Sequence, residues 1–210
     1  MSAERAPVAI LLAAGRGARF DPLGQASKLL AAAPAGPQRG RPLALAAALA
    51  LRAALPRVLA VVRPADTPAQ QALHETLRAA GCELVVNARA DDGSGGSIAA
   101  GVAAARDAGG WLIALADMPA LAPATIAAVR EAIATGAATA APVYAGRRGH
   151  PVGFGAQLRG ELLALTGDEG ARSVLAAHAP ALIAVDDPGC LLDLDTALDF
   201  ERARQAGDRG

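Results

Sequence analysis

The sequence predicts an α/β protein in three layers, with helices on both faces of a mainly parallel, twisted sheet. Three observations carry this. Short apolar runs recur between Ala- and Leu-rich segments of helical length. Several of these runs are apolar at every position, as in strands buried on both faces. With 53% hydrophobic and 19% charged residues, the 210-residue chain can build one sizeable core and is too apolar to be disordered throughout.

The elements follow in order. Residues 8–13 are the first apolar run and end at glycine. Residues 42–55 open with proline and continue in Ala and Leu, a helix. Residues 58–62 form the second strand. Residues 67–80 are helical, with Pro68 in the first turn and Gly81 at the end. Residues 83–86 are the third strand. The run Asp91-Asp-Gly-Ser-Gly-Gly leads into a helix over 97–107, followed by a strand at 111–116 and a helix at 123–135. The rhythm then changes. Strands at 138–144 and 151–154 flank a Gly-Arg-Arg-Gly turn, helices occupy 157–165 and 170–178, a short strand 182–185, and a last helix 196–205. Residues 206–210 form a frayed tail, and the Pro/Gly-rich stretch 34–42 a surface loop. In such sheets ligands bind beyond the carboxyl ends of the strands. The loops after residues 13, 86 and 116 are therefore expected at one edge.

Composition removes several classes of function. Twenty basic and 20 acidic side chains cancel, and 2% of residues are aromatic. A dedicated nucleic-acid binder would show a basic face and stacking residues. The apolar stretch 42–55 is too short to span a bilayer and contains Arg52. Residues 7–14 have the apolarity of a signal segment, but Arg16 and Arg19 follow at once with no cleavage site. Cys82 and Cys190 stand far apart without metal-ligand spacing, as thiols of a reducing compartment do. These features predict a cytoplasmic protein with no membrane or nucleic-acid partner.

Polar residues concentrate where the strands end. Gly15 and Gly17 let the backbone turn and present N–H groups to an anion. Arg16, Arg19 and Lys28 add charge, and Lys28 is the sole lysine of the chain. The loop lacks the Gly-Lys-Ser/Thr ending of a Walker A motif, and Phe20 stands where a dinucleotide fingerprint needs its third glycine. It suits a triphosphate, or is a plain turn with surface arginines. Asp117, in Asp-Met-Pro, closes the most apolar strand and either partners a divalent cation or caps the next turn. Asp193 and Asp195, two apart in an extended segment, are expected on one face. They serve as metal ligands, or one of them caps the last helix. The glycine-rich run ending at Gly96 and Ser97 is an anion or base-edge site, or a loop with Ser97 as N-cap. His150, in Gly149-His-Pro, contacts substrate phosphate or is an exposed polar residue. Arg172 follows a polar loop that also reads as a cap.

Taken in order, these segments resemble the MobA-like nucleotidyltransferases, most closely the molybdenum cofactor cytidylyltransferase branch. The matching residues are Leu12-Ala13-Ala14-Gly15 with Arg19 and Lys28, Ser97-Ile-Ala-Ala-Gly101, Asp117-Met-Pro, Gly149-His150-Pro, Gly167-Asp-Glu-Gly-Ala-Arg172 and Asp193-Leu-Asp195-Thr. Phe20 replaces the family's usual Met, the stretch from Asp21 to Ser27 lengthens the loop before Lys28, and Ala197 stands where Pro is common. The resemblance implies one nucleotidyltransferase domain over 1–210. Residues 7–135 would be its Rossmann-like NTP-binding half, and 136–205 an acceptor-binding half carrying a small β excursion. It implies phosphate contacts from Lys28 and Arg19, Mg²⁺ held by Asp117 and Asp195, and nucleotide contacts along 12–17, at Gly96, Ser97 and Gly101, and at Gly149, His150 and Arg172. Ala14, where the guanylyl branch has Gly, points to CTP, and the acceptor would be the phosphate of molybdopterin or its molybdenum form. A molybdoenzyme or its chaperone would receive the product. Rival readings are a transfer from GTP or to another phosphorylated acceptor, and a non-catalytic protein that delivers the cofactor.

Overall fold

A computed structural model describes residues 6–17, 20 and 27–207. One eight-stranded sheet forms the middle layer. Its strands are β1 (Val8–Leu12), β2 (Val58–Val62), β3 (Glu83–Val86), β4 (Gly110–Leu115), β5 (Thr139–Tyr144), β6 (Arg147–Arg148), β7 (Val152–Gly155) and β8 (Ala181–Ala184). The spatial order is β3-β2-β1-β4-β7-β5-β6, with β8 beside β5. β1 to β4 are mutually parallel, β7 runs antiparallel to β4 and β5, and β8 is parallel to β5.

Side-chain alternation along the central strands builds two cores. Ala9 and Leu11 of β1, Ala60 and Val62 of β2, and Leu112 and Ala114 of β4 face one way. They meet α1 (Leu43–Ala54), α2 (Pro68–Ala79) and α4 (Pro123–Ala134). Val8, Ile10, Leu59, Val61, Trp111 and Ile113 face the other way. They meet α3 (Ser94–Ala104), α5 (Arg159–Leu163) and α6 (Arg172–Ala177). The last helix, α7 (Ala197–Gly207), packs Ala203 with Ala33, Leu43 and Leu194. The predicted three-layer α/β/α class is thus the observed one. Among the described residues no helix is long and apolar enough to cross a membrane.

Most predicted elements lie within a few residues of their expected places; β2 and β3 coincide with the expected ranges. The helix expected from 97 instead starts at Ser94, and its N-cap is Gly93 at φ +110°. Ser97 is therefore not a cap. Gly95 lies inside the helix because its backbone N–H bonds Gly167 O at 2.9 Å, a contact invisible to local propensity. The expected 157–165 helix is a 3₁₀ turn (Ala156–Leu158) followed by the short α5.

The Gly-Arg-Arg-Gly segment is also not all turn. Ala145 and Gly146, both at positive φ, make a two-residue hairpin turn, after which Arg147 and Arg148 pair back on β5. Val143 pairs with Arg148, but Ala140 pairs with Gly153. Gly149 N still bonds Pro142 O at 2.9 Å, so the extra residues lie between Gly149 and Gly153, and it is this bulge that carries His150.

Candidate active site

β1 is flanked by β2 on one side and β4 on the other, so the winding of the sheet reverses between β1 and β4. A crevice opens beyond the carboxyl ends of strands at such a point. Leu12 pairs with Leu115 in the sheet, which sets the loop after β1 beside Asp117. Two adjoining clefts share Leu12, Gly15, Arg16 and Asp117.

The first cleft, about 550 Å³, is lined by Ala14, Arg63, Asp91, Ser94, Ser97 and Asp168 among others. Its floor is fixed from within. Asn87 Nδ2 donates to Ser97 Oγ at 3.1 Å, both residues being buried, and Asn87 Oδ1 accepts from Arg89 N at 3.0 Å. Ser94 Oγ donates to Asp168 O at 3.3 Å and ties the start of α3 to the 166–168 loop.

Across the mouth of this cleft lies an ion-pair cluster. Arg16 donates to Asp91 through Nε at 2.7 Å and Nη2 at 2.5 Å, a bidentate pair. Arg63 Nη2 donates to the same carboxylate. The hydrogen bond from Arg16, and after it that from Arg63, holds the Asp91 carboxyl far below the ordinary carboxylate range. The loop after β2 that carries Arg63 is itself anchored, because His74 Nε2 pairs with Arg63 O at 2.8 Å. Arg16 and Asp91 are well exposed, so the cluster adds little to folding stability. Asp91→Asn is therefore expected to leave the urea unfolding midpoint nearly unchanged. It should raise KM for the expected nucleotide more than it lowers kcat, because it releases Arg16 and Arg63 at the mouth and leaves the contacts of Lys28 with Asp117 and Asp195 in place. Steady-state kinetics beside urea titration check this.

The second cleft, about 360 Å³, is lined by Gly15, Arg16, Gly17, Ser27, Lys28, Asp117 and Asp195 among others. Lys28 opens a 3₁₀ turn (Lys28–Leu30) and is only 7% exposed. Its Nζ lies 2.7 Å from Asp117 Oδ2 and 2.7 Å from Asp195 Oδ1. Burial alone would pull the ammonium pKa down. The hydrogen bonds with Asp117 and Asp195, and their charges, outweigh burial and hold it above the ordinary lysine value.

The C-terminal segment delivers Asp195 by a chain of bonds. Asp187, buried, accepts from Ala122 N, Thr125 Oγ1 and Gly189 N. Further on, Leu194 N donates to Asp117 O at 3.1 Å and places the next residue beside the end of β4. Asp195 is not the helix cap. That role falls to Thr196 and Asp199, since Asp199 Oδ2 accepts from Thr196 N at 2.7 Å and Thr196 Oγ1 donates to it at 2.7 Å. Nor do Asp193 and Asp195 share a site. Asp193 is exposed and lines a separate, largely apolar cleft beside α7.

The other expected site residues divide. Leu12, Ala14, Gly15, Arg16, Gly17 and Ser97 line the two clefts. Ala13 is buried in the core beneath them. Gly101 lies on the sheet-facing side of α3, where a Cβ would come within 2.6 Å of Ile10 Cγ2, so its small size serves packing. Gly149 is buried against Cys190, and Gly96 and Arg172 do not line either cleft. His150 is not an exposed residue. It is half-buried, and its Nδ1 is enclosed without a hydrogen-bond partner. Burial pushes its pKa down against the pull of Ile113, Asp117 and Asp193, which favours neutral imidazole. Arg19 falls outside the described residues. Sequence reasoning missed Arg63. Its signal was its position, immediately after the last residue of an apolar strand.

A metal fits the second cleft. Among the described residues no group of three or more His, Cys, Asp or Glu side chains is set to hold an ion. Two carboxylates with room for phosphate oxygens are, however, the donor set that Mg²⁺ commonly takes. Asp117 Oδ1 is buried and has no hydrogen-bond partner, an orphaned anionic oxygen that an entering cation would satisfy.

The model of the MobA-like NTP transferase domain matches residues 9–182. A comparison with curated protein sequences finds no match. Among solved structures, the chain is similar to Rv0371c from Mycobacterium tuberculosis H37Rv, with 27% identity over 98% of this chain and 100% of that one and a TM-score of 0.75. It is similar to a nucleotidyl transferase from Methanothermobacter (Mth528), with 24% identity, 97% and 98% coverage and a TM-score of 0.76. The complex of Rv0371c with manganese superposes with a TM-score of 0.69 at 24% identity, covering 96% of this chain and 99% of that one.

Proposed function

The chain belongs to the MobA-like NTP transferase domain family and is a nucleotidyltransferase, and on that premise we propose that it transfers CMP from CTP to the phosphate of molybdopterin or its molybdenum form, releasing pyrophosphate. The observation that carries this reading is the pair of adjoining clefts, one sized for a nucleoside and the other holding Lys28, Asp117 and Asp195.

The base would lie over Ala14 and Ser97, under the Arg16–Asp91–Arg63 cluster. Backbone N–H groups at Gly15 and Gly17, with Arg16, Arg19 and Lys28, would hold the triphosphate. Asp117 and Asp195 would hold a divalent cation, Mg²⁺ in the cell; the manganese complex of Rv0371c supports a metal in this fold. When bound, that ion neutralises triphosphate charge and helps polarise the α-phosphorus. An oxygen of the acceptor phosphate attacks that phosphorus in line, the bond to the β-phosphate breaks, and pyrophosphate leaves. A phosphate dianion is already a nucleophile, so the protein need only position the reactants and stabilise charge. The hairpin and His150, on the acceptor side of Asp117, would receive the pterin. Neutral His150 suits a hydrogen bond there better than charge pairing with phosphate. Alanine rather than glycine at position 14 favours CTP by resemblance to the cytidylyl branch.

Pyrophosphate release measured with each of the four NTPs and Mg²⁺, with and without molybdopterin, tests the proposal. Release with CTP only in the presence of the pterin is the expected result. Turnover with GTP instead would overturn the base assignment, and CTP turnover with another phosphorylated acceptor would overturn the acceptor.

A further inference from the structure

Lys28 occupies the position that a divalent cation between Asp117 and Asp195 would need. Its ammonium touches both carboxylates at 2.7 Å. A cation held by both carboxylates would compete with it for the same space. Without some cation the two half-buried carboxylates would repel one another. The second Asp117 oxygen stays enclosed and unsatisfied, so the ammonium fills the site only in part. A lysine suits a removable occupant better than an arginine. It is a compact point charge on a flexible stem and forms no planar fork that locks to one carboxylate. A departing ammonium would need triphosphate oxygens as its new partner, bound in the same cleft beside Gly15, Arg16 and Gly17.

We propose that Lys28 is a displaceable stand-in for the metal. In the free protein it holds Asp117 and Asp195 together and keeps divalent ions out, and it yields the carboxylates when triphosphate oxygens offer its ammonium a new partner. This rests on the reading of Asp117 and Asp195 as metal ligands. It goes beyond that reading by making metal affinity depend on the nucleotide. Coupling of this kind is reciprocal, so metal and nucleotide each strengthen binding of the other.

The consequence runs against intuition. Removing a catalytic lysine should improve metal binding. Free Mn²⁺ is measured by electron paramagnetic resonance during titration of the nucleotide-free protein, as wild type, Lys28→Met, Lys28→Gln and the double variant Lys28→Met with Asp117→Asn. Lys28→Met is expected to bind Mn²⁺ about tenfold tighter than wild type or better, and the double variant to lose that gain. Lys28→Gln, a polar replacement, gives the same comparison should the methionine variant fail to fold. Affinity equal to or weaker than wild type in the folded lysine variants, with binding still abolished by Asp117→Asn, overturns the stand-in role and leaves the metal site standing. Mn²⁺ binding that Asp117→Asn does not change overturns both.

Discussion

Asp117→Asn is expected to lower pyrophosphate release by about three orders of magnitude while the protein stays folded. The substitution keeps the shape of the side chain and removes its charge. It subtracts a ligand from the proposed metal site and one of the two partners of Lys28. Metal stabilisation of a transferring phosphoryl group is worth several kcal/mol, and each 1.36 kcal/mol is about tenfold in rate. The stability cost is smaller. Asp195 continues to pair Lys28, and the Leu194 N–H still reaches the backbone carbonyl of residue 117. Loss of one charge-assisted hydrogen bond predicts destabilisation of about 2 kcal/mol. Turnover at saturating nucleotide, measured beside thermal unfolding, separates the two effects. Near-normal turnover would remove Asp117 from the metal site.

Gly93→Ala should unsettle the first cleft from its rim. Gly93 has φ +110°, and a Cβ there would come within 2.2 Å of the backbone carbonyl of Gly167. Neither atom belongs to a side chain that could swing away. The α3 start and the 166–168 loop, joined by the Gly95 N–H to Gly167 O bond, would have to separate. Gly93, Ser94 and Asp168 all line the first cleft, so their separation widens it. The expected cost is about 3 kcal/mol in urea unfolding, with a raised KM for the nucleotide. Gly96 provides the contrast. It lies in the same helix, where an added methyl group would meet nothing within 4 Å, and Gly96→Ala should stabilise by about 0.5–1 kcal/mol. Equal unfolding midpoints for the two variants would show that the Gly93 contact is not tight.

Legibility differed from element to element for physical reasons. The runs at 58–62 and 83–86 are flanked by turn residues and have nowhere else to go, so their limits could be read directly. The helix at Pro68–Ala79 announced itself through Pro68 and Gly81, and the structure adds a capping box formed by Thr67 and Gln70 at its start. The start of α3 could not be read, because helical Gly95 is held by a backbone partner in the 166–168 loop. The pairing of Arg147 and Arg148 with β5 was hidden by their charge and by the neighbouring glycines. At the site, residue types at strand ends singled out Gly15, Arg16, Lys28 and Asp117. Their spacing said nothing of Arg63 and Asp91 meeting Arg16.

Taken alone, the sequence determined the layers, the parallel core strands, and an edge where the loop glycines and a strand-end carboxylate would gather. These follow from period, apolarity and turn chemistry, which act over a few residues. Only the tertiary structure decided which charges meet. Lys28 reaches carboxylates 89 and 167 positions away because winding reverses between β1 and β4 and because Asp187 and Leu194 steer the C-terminal segment back to the end of β4. Electrostatic partnership depends on distance in space, and the order of strands in the sheet, which no local pattern encodes, sets that distance.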